Sequence, residues 1–265
     1  MGKRFGVATR RRSQAQALDF SFWESKGSSG AVAASPPSSV PMVSAFADNR
    51  VARAHPDWVQ VGPDGERGDR SARYFDWSTL CPTRDDVFRL ALFWATQAAN
   101  GNGLRLDDVN YARQGYCQCE ECRKAIAQGG VAPEEFRRTR IASFLRAVRS
   151  EVKVPLYLTL YPDPYPGHLE RRFGVDPDVL SELVDTFIVP IYDLAYSTTY
   201  WLEALAMGFA DRLRRPFLVE LYGLDVPEER LRKAAEVAMA YADGVLIAYD
   251  RDDAKVLRIR DSVLG

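Results

Sequence analysis

The segment GLRLDDVNYARQGYCQCEECR spans residues 103–123 and joins the two features that decide the fold and the working site. Its first residues form a short apolar run that ends in Asp107 and Asp108. This pattern is typical of a buried strand whose carboxyl end carries polar side chains. Three cysteines follow within six residues of one another. We therefore expect carboxylates at a strand end and, beside them, a site that suits a soft metal ion.

Similar short runs, rich in β-branched and aromatic residues, recur along the chain, and each is followed by a helical pattern. They are VPMVSAF (40–46), VPLYLTLY (154–161), TFIVPIY (186–192), PFLVELY (216–222) and GVLIAYD (244–250). Such strands are apolar on both faces, as in a parallel sheet covered by helices. Among the helix signals, Thr83 stands before Arg84-Asp85-Asp86 as an N-cap. Repeated strand–helix units predict a closed β/α barrel or an open doubly wound sheet.

The absence of a nucleotide-binding glycine loop after any strand favours the barrel. If GVLIAYD is the eighth strand, GLRLD is the fourth, and the first 39 residues must supply two strands, for which 5–9 and 18–23 are candidate fragments. We predict an α/β fold of the (β/α)8 TIM-barrel type, incomplete or irregular at its N-terminus. Residues 1–39 form a flexible or irregular leader, because 25–41 is rich in Ser, Gly, Ala and Pro, and residues 40–265 form the barrel domain.

Composition excludes several classes of function. The 265 residues carry 35 Lys+Arg against 36 Asp+Glu, so no overall field attracts nucleic acid or an anionic membrane. The basic residues near the N-terminus are followed by no apolar run of signal-peptide length, and no stretch is apolar enough to span a bilayer. We expect a cytoplasmic protein that acts on a small molecule or an oligosaccharide.

Working residues of β/α barrels lie at the carboxyl ends of the strands. Because side chains alternate along a strand, Arg105 and Asp107 share one face and Leu104 and Leu106 the other. If Asp107 points into the barrel mouth, Arg105 does too, and its charge keeps Asp107 ionised. A purely structural Arg–Asp pair remains the alternative.

Glu220 is the acidic residue inside the apolar run PFLVELY. A carboxylate there must be paired, protonated or functional, because burying an unpartnered charge is very costly. Asp107 and Glu220 on the fourth and seventh strands are therefore predicted to face each other as the catalytic carboxylates of glycoside hydrolysis. The sequence leaves open which of them is the acid.

Aromatic residues at or just past strand ends suit stacking on sugar faces, although each alone is more often a core residue. Polar residues near them suit contacts with hydroxyl groups. The predicted substrate-binding residues are Trp58, Arg105, Asp108, Tyr161, Tyr192, Asp193 and Tyr222.

The three cysteines of the C-x-C-x-x-C segment, Cys117, Cys119 and Cys122, gain a fourth partner if Cys81 in LCPT lies nearby. Four thiolates without an open position describe a structural zinc site. Such a site would fasten two long loops together at the catalytic face. An iron–sulfur cluster uses the same number of ligands, and four unligated thiols are the remaining alternative.

Four segments together resemble a group of glycoside hydrolase-like TIM barrels: AHPDWVQVGPDG (54–65), LCPT (80–83), residues 103–122 and VDTFIVPIYDLAY (184–196). The resemblance covers residues 40–250. It implies a carbohydrate-active hydrolase, with Asp107 as the acidic residue of the fourth strand and His55 in a substrate loop. The G-x-R-x-D form is also similar to the amylase-type motif, which implies that Asp107 is the nucleophile.

The chain departs from that group in its short first two units and in lacking a signal peptide, which argues against extracellular polysaccharide digestion. Two other functions compete with glycoside hydrolysis. One is a zinc-thiolate barrel that activates a thiol for methyl transfer at an open metal position. The other is a non-catalytic carbohydrate-binding barrel in which Arg105 locks both carboxylates.

Overall fold

The computed structural model describes residues 2–18 and 20–265, in which eight parallel strands close into a barrel in chain order. The strands are β1 (Arg4–Thr9), β2 (Ser21–Lys26), β3 (Val40–Ser44), β4 (Leu104–Asp107), β5 (Leu156–Thr159), β6 (Thr186–Pro190), β7 (Phe217–Tyr222) and β8 (Gly244–Ala248). The predicted (β/α)8 fold is confirmed. The six strands expected from residue 40 onward all occupy the predicted positions.

Helices cover the outside of the barrel. They are α1 (Arg12–Ala17), α2 (Asn49–Ala54), α3 (Asp85–Ala98), α4 (Glu120–Gly129), α5 (Pro133–Glu151), α6 (His168–Phe173), α7 (Pro177–Leu180), α8 (Tyr200–Arg212), α9 (Glu228–Tyr241) and α10 (Asp253–Leu264). Within the described ranges, none of these helices has both the length and the apolar character needed to cross a bilayer. The N-cap of α3 is Arg84 rather than Thr83, whose hydroxyl instead contacts Tyr111 Oη at 2.8 Å, so that predicted cap is wrong.

The first 39 residues differ from the leader that composition predicts, because β1 and β2 belong to the barrel and close it against β8 and β3. The first two strand–helix units are irregular in their helices rather than in their strands. Helix α1 has only six residues, and the described connection over residues 27–39 between β2 and β3 contains no helix. The fragment predicted at 18–23 includes Asp19, which lies outside the described residues, but its remainder overlaps β2.

The barrel has two separate apolar regions. Alternate strand residues, among them Leu104 and Leu106, face the helices and form the larger core. A smaller cluster fills the lumen and includes Phe22, Tyr157 and Leu246. Arg105 lies above this cluster, with its guanidinium carbon 5.1 Å from the centre of the Phe22 ring. The apolar lumen therefore ends at a layer of charged side chains near the carboxyl ends of the strands.

Candidate active site

The carboxyl ends of the strands surround a cavity of about 460 Å³, which we call the mouth cavity. Its lining includes side chains from five strands, namely Glu24, Ser44, Asp107, Thr159 and Glu220. Because this end of a TIM barrel carries the variable loops, it is the expected place for chemistry. Acidic side chains from β2, β4 and β7 converge here, as a hydrolytic site requires.

A second cavity of about 580 Å³ opens at the opposite, amino-terminal end of the barrel. Its lining includes Arg4, Arg149 and Lys153. Arg149 is already paired with Asp185, at 2.9 Å between guanidinium and carboxylate. We therefore place the candidate site at the mouth, where several carboxylates converge and where barrels of this type place their reacting groups.

Arg105 connects the two carboxylates that the sequence singled out. Its side chain is 2 % exposed. Nε lies 3.0 Å from Asp107 Oδ1, and the terminal nitrogens bind both oxygens of Glu220, with 3.2 Å between Nη2 and Oε1. Burial acts to lower the pKa of Arg105, but the charges of Asp107 and Glu220 outweigh it and raise that pKa. Arg105 thus forms ion pairs with both Asp107 and Glu220.

Asp107 is the more accessible of these two carboxylates, with a side chain 22 % exposed in the mouth cavity. Burial raises its pKa above the ordinary value, and the charge of Glu220 adds to this. Arg105 and a hydrogen bond from the Thr159 hydroxyl act in the opposite direction and favour the ionised form. Asp107 is thus a carboxylate with fixed orientation and one face toward the cavity.

Glu220 lies deeper, with a side chain 2 % exposed. Besides its two contacts with Arg105, it accepts a hydrogen bond from the Tyr192 hydroxyl. Burial, followed by the negative charge of Glu220 and this hydrogen bond, raises the pKa of Tyr192 well above its ordinary value. Two nitrogens of Arg105 and the hydroxyl of Tyr192 therefore partner the Glu220 carboxylate, as a charge inside an apolar strand requires.

Asp108 reaches the same cavity by a different route. Its backbone adopts a left-handed conformation with φ of 55°, which aspartate tolerates better than most residues. Its carboxylate accepts a hydrogen bond from the Ser44 hydroxyl. Burial, followed by the negative charge of Asp107, raises the pKa of Asp108 to about 6. Two adjacent aspartates thus occupy distinct electrostatic environments at one site.

Lys26 and Glu24 are not among the residues that the sequence predicts for the site, because both lie within the predicted leader, residues 1–39. Lys26 is buried and pairs with Asp48 at 3.2 Å. It also donates to the backbone carbonyls of Ser44 and Ala47, at 2.6 Å and 2.9 Å. Lys26 therefore holds the end of β3, which carries the hydroxyl that contacts Asp108. The only signal for these residues was a short polar strand without a following helix.

Predicted substrate-binding residues divide into two groups. Tyr161 and Tyr192 line the mouth cavity together with Arg105 and Asp108, and Trp77 and Tyr249 join them. The remaining four do not line it. His55 and Trp58 stack on each other with ring centres 4.0 Å apart, Asp193 accepts a hydrogen bond from the Ala195 backbone, and the Tyr222 ring lies 5.6 Å from that of Tyr192. Direct contact with a substrate in the mouth cavity is therefore expected for the first group only.

The four cysteines come together as the sequence suggested. All four are buried, and their sulfur atoms lie within 4.8 Å of one another. Cys81 Sγ lies 3.4 Å from Cys122 Sγ and 3.6 Å from Cys119 Sγ. A tetrahedral zinc ion with bonds of about 2.3 Å would separate its sulfur ligands by about 3.8 Å, so the arrangement fits one ion with small adjustments. Burial raises the pKa of Cys81, so four thiolates would need such a cation.

No protein-family model matches the sequence, and no curated protein matches it either. Solved structures do match. The glycoside hydrolase domain of PgaB (BpsB) from Bordetella bronchiseptica is 13 % identical, with a TM-score of 0.73 over 100 % of this chain and 99 % of that chain. The alpha-L-fucosidase isoenzyme 2 from Paenibacillus thiaminolyticus is 12 % identical, with a TM-score of 0.69 over 99 % of this chain and 49 % of that one.

An exo-beta-N-acetylglucosaminidase from Vibrio harveyi is 9 % identical, with a TM-score of 0.58 over 95 % of this chain and 50 % of that one. The chain has the fold of glycoside hydrolase barrels. The resemblance seen in the sequence is thus confirmed at the level of the fold. Because identities are this low, the chemistry of the site is argued from its own residues.

Replacing Arg105 by leucine tests whether its guanidinium is the counterion of both acids. The variant leaves Asp107 and Glu220 buried without a cation, so we expect a loss of about 3–5 kcal/mol in the free energy of unfolding at pH 7. The loss should shrink as the pH falls toward about 4, because protonation removes the uncompensated charges. Urea unfolding across this pH range measures it. Arg89→Leu, on an ion pair 69 % and 63 % exposed, is the control and should change little. An equal, pH-independent effect in both variants would contradict the assignment.

Proposed function

We propose that the protein hydrolyses glycosidic bonds in the mouth cavity, with Asp107 and Asp108 as the two reacting carboxylates. The observation that carries this proposal is the difference between their environments. Burial raises the pKa of both, but at Asp107 a buried arginine opposes the rise, whereas at Asp108 the charge of Asp107 adds to it and brings the pKa to about 6. A pair of carboxyls with separated roles as acid and as nucleophile or base is what glycoside hydrolysis needs.

Asp108 is the general acid in this mechanism. With a pKa near 6 it retains its proton in mildly acidic solution, well above the ordinary range of an aspartate, and can deliver it to the departing glycosidic oxygen. Ser44 orients the carboxyl group, and Lys26 holds the strand end that carries Ser44. The positive φ of Asp108 aims its side chain into the cavity rather than toward the helices.

Asp107 is the nucleophile, or the base that activates water, on the other side of the scissile bond. Arg105 and Thr159 donate to one of its oxygens and stabilise the ionised form. The likeness of G-x-R-x-D to the amylase-type motif supports the role of Asp107 as the nucleophile rather than as the base. The oxocarbenium-like transition state would gain from this fixed negative charge.

Glu220, predicted from the sequence as the second catalytic carboxylate, receives a different role in this proposal. Three donors occupy its oxygens, and its side chain is 2 % exposed. We treat it as a positioning residue that holds Arg105 against Asp107. The sequence-based pairing of Asp107 with Glu220 stays a prediction, and the following experiment tests it against the pairing of Asp107 with Asp108.

Asparagine or glutamine substitutions, assayed on a panel of aryl glycosides, separate these roles. We expect Asp107→Asn and Asp108→Asn each to lower kcat by about 10²–10⁴-fold, the range usual for acid–base residues. Glycosides of 2,4-dinitrophenol, whose leaving group needs no proton, should restore Asp108→Asn but not Asp107→Asn. Glu220→Gln should shift the pH profile without that leaving-group dependence. Selective rescue of Glu220→Gln instead would identify Glu220 as the acid and overturn our assignment.

The pH profile of kcat/KM provides a further prediction. The acid must be protonated, so activity should fall as pH rises through about 6, the pKa of Asp108. The Ser44 hydrogen bond lowers this pKa, so Ser44→Ala should move the alkaline limb to higher pH. Thr159→Val is the matched control: it removes a bond that lowers the pKa of Asp107 and should move the acid limb instead. An alkaline limb that Ser44→Ala leaves in place would contradict the role of Asp108.

A non-catalytic carbohydrate-binding barrel is the second candidate, because Arg105 does contact both Asp107 and Glu220 as that alternative requires. Turnover distinguishes the two. A wild-type protein that binds a glycoside of the panel by calorimetry but hydrolyses none of them supports the binding function.

We further propose that the four cysteines hold a structural zinc ion. Cys81 completes a set of four sulfur ligands, which supports a closed site over the open position that methyl transfer needs. None of these cysteines lines the mouth cavity, so the metal would act on loop geometry rather than on the reacting atoms.

A further inference from the structure

Two residues that line the mouth cavity, Glu24 on β2 and Tyr249 directly after β8, take no part in the proposed bond cleavage. Strands β2 and β8 both pair with β1, so the two residues flank the end of the same strand. Burial, followed by the negative charges of Glu220 and Glu24, raises the pKa of the Tyr249 phenol. A carboxylate and a protonated phenol therefore lie near each other on one side of the cavity.

The position of Glu24 is fixed by a bulge, an arginine and a glycine. The register of β2 against β3 shifts by one residue between Glu24 and Lys26, and such bulges re-aim side chains next to active sites. Arg10 Nη2 donates to Glu24 Oε1, and a β-carbon at Gly27 would overlap that oxygen. Glu24 Oε2 receives no hydrogen bond from the described residues, so it can accept one from a ligand.

The backbone of Tyr249 lies in the left-handed region, with φ of 63°, which is unfavourable for an aromatic residue. Neighbouring contacts hold it there. Tyr249 N donates to the Ala8 carbonyl at 3.1 Å, and the buried Asp250 pairs with Lys255 at 2.5 Å. Residues kept in such conformations cluster at ligand sites. Tyr249 is 39 % exposed, and its hydroxyl has no hydrogen-bond partner in the described part of the chain, so it can donate to a ligand.

Of the described residues, two cations line the mouth cavity, Lys26 and Arg105. Lys26 pairs with Asp48 at 3.2 Å, and Arg105 pairs with the two carboxylates described above. An acidic sugar would therefore meet carboxylates and no unpaired cation among these lining residues. A neutral hydroxyl group, in contrast, needs one acceptor and one donor, which a carboxylate and a phenol supply.

Resting on the function proposed above, we infer that Glu24 and Tyr249 bind one hydroxyl group of the reacting sugar and that the substrates are neutral glycosides. The hydroxyl donates to Glu24 Oε2 and accepts from the Tyr249 phenol. Arg10 is a positioning residue, because it holds Glu24 without lining the cavity itself. Asp107 and Asp108 would act on the glycosidic bond, whereas this second pair selects the sugar.

The first test uses the 4-nitrophenyl glycoside that is turned over fastest and its monodeoxy analogues. We expect Glu24→Ala to lower kcat/KM for the parent by about 10- to 100-fold, the value of a hydrogen bond to a charged group, and Tyr249→Phe by about two- to tenfold. The deoxy analogue that lacks the bound hydroxyl should respond to either variant by less than about twofold. Losses of equal size on the parent and on every analogue would overturn the inference.

Arginine variants test the positioning role. Arg10→Ala should cause a smaller loss than Glu24→Ala, the same deoxy analogue should be insensitive to it, and Arg10→Lys should restore most of the activity because it keeps a cation. Arg11→Ala is the matched control: the Arg10 and Arg11 side chains are 53 % and 44 % exposed, and Arg11 pairs with Asp253 rather than with Glu24. A loss with Arg11→Ala as large as that with Arg10→Ala would contradict this role.

A uronide tests the substrate class. The 4-nitrophenyl uronide of the preferred sugar places a carboxylate in a cavity whose cations are already paired, so we expect kcat/KM to be lower by about tenfold or more than for the neutral glycoside. Turnover of the uronide at an equal or higher rate would show that the cavity does not select neutral sugars.

Calorimetry provides a test without turnover, with the methyl glycosides of glucose, galactose, mannose and N-acetylglucosamine as probes. The wild type should bind at least one of them, and Glu24→Ala should weaken that binding by about tenfold or more while changing binding of the matching deoxy glycoside little. Binding of no probe, or equal binding by the variant, would contradict the inference. If the probes bind in this pattern and none of the panel is hydrolysed, the proposed function fails and the hydroxyl contact stands. Hydrolysis without any deoxy dependence has the opposite meaning.

Discussion

The buried guanidinium of Arg105 is the constraint on which the site depends. It lies on the apolar layer of Phe22 and contacts Asp107 and Glu220 at the same time. Without it, the buried carboxylate of Glu220 and the partly buried one of Asp107 would lie close together with no cation between them, which is strongly unfavourable. With it, the buried carboxylate of Glu220 has a cation beside it, and the negative charge of Asp107 is held at the surface of the mouth cavity. That charge in turn helps to raise the pKa of Asp108.

This arrangement also explains why Asp107 and Asp108, although adjacent in the chain, have different proposed roles. Asp107 follows the strand alternation and shares the lumen face with Arg105. Asp108 leaves the strand with a positive φ and meets Ser44, so its surroundings differ although it is the next residue. A barrel with an apolar lumen below and charged side chains above thus obtains two unlike carboxyl groups from one strand end.

Much of this could be read from the sequence. Apolar runs followed by helical patterns placed six strands correctly, and simple alternation brought Arg105 and Asp107 to the lumen. The first two strands were harder, because β2 carries Glu24 and Lys26 near the mouth and no helix follows it in the described chain. Glu24 and Lys26 line the mouth cavity, and these polar side chains interrupt the apolar pattern of β2.

Other features depend on contacts through space. Nothing local in the sequence shows that Ser44 meets Asp108 across 64 positions, or that His55 and Trp58 stack on each other outside the mouth cavity. The cysteine cluster is the opposite case, because three of its members are neighbours in the chain and only Cys81 had to be supplied by the fold. Local spacing predicts such a site well, whereas a cleft assembled from several strand ends requires the tertiary structure.

A carboxyl ¹³C NMR titration of aspartate-labelled protein tests the central claim most directly, because it observes the coupling between the two aspartates without any substrate. The account predicts that the Asp108 carboxyl titrates near pH 6 and that Asp107→Asn lowers this midpoint by removing a neighbouring negative charge. An Asp108 resonance that titrates near the ordinary value of about 4, in both the wild type and the variant, would contradict it.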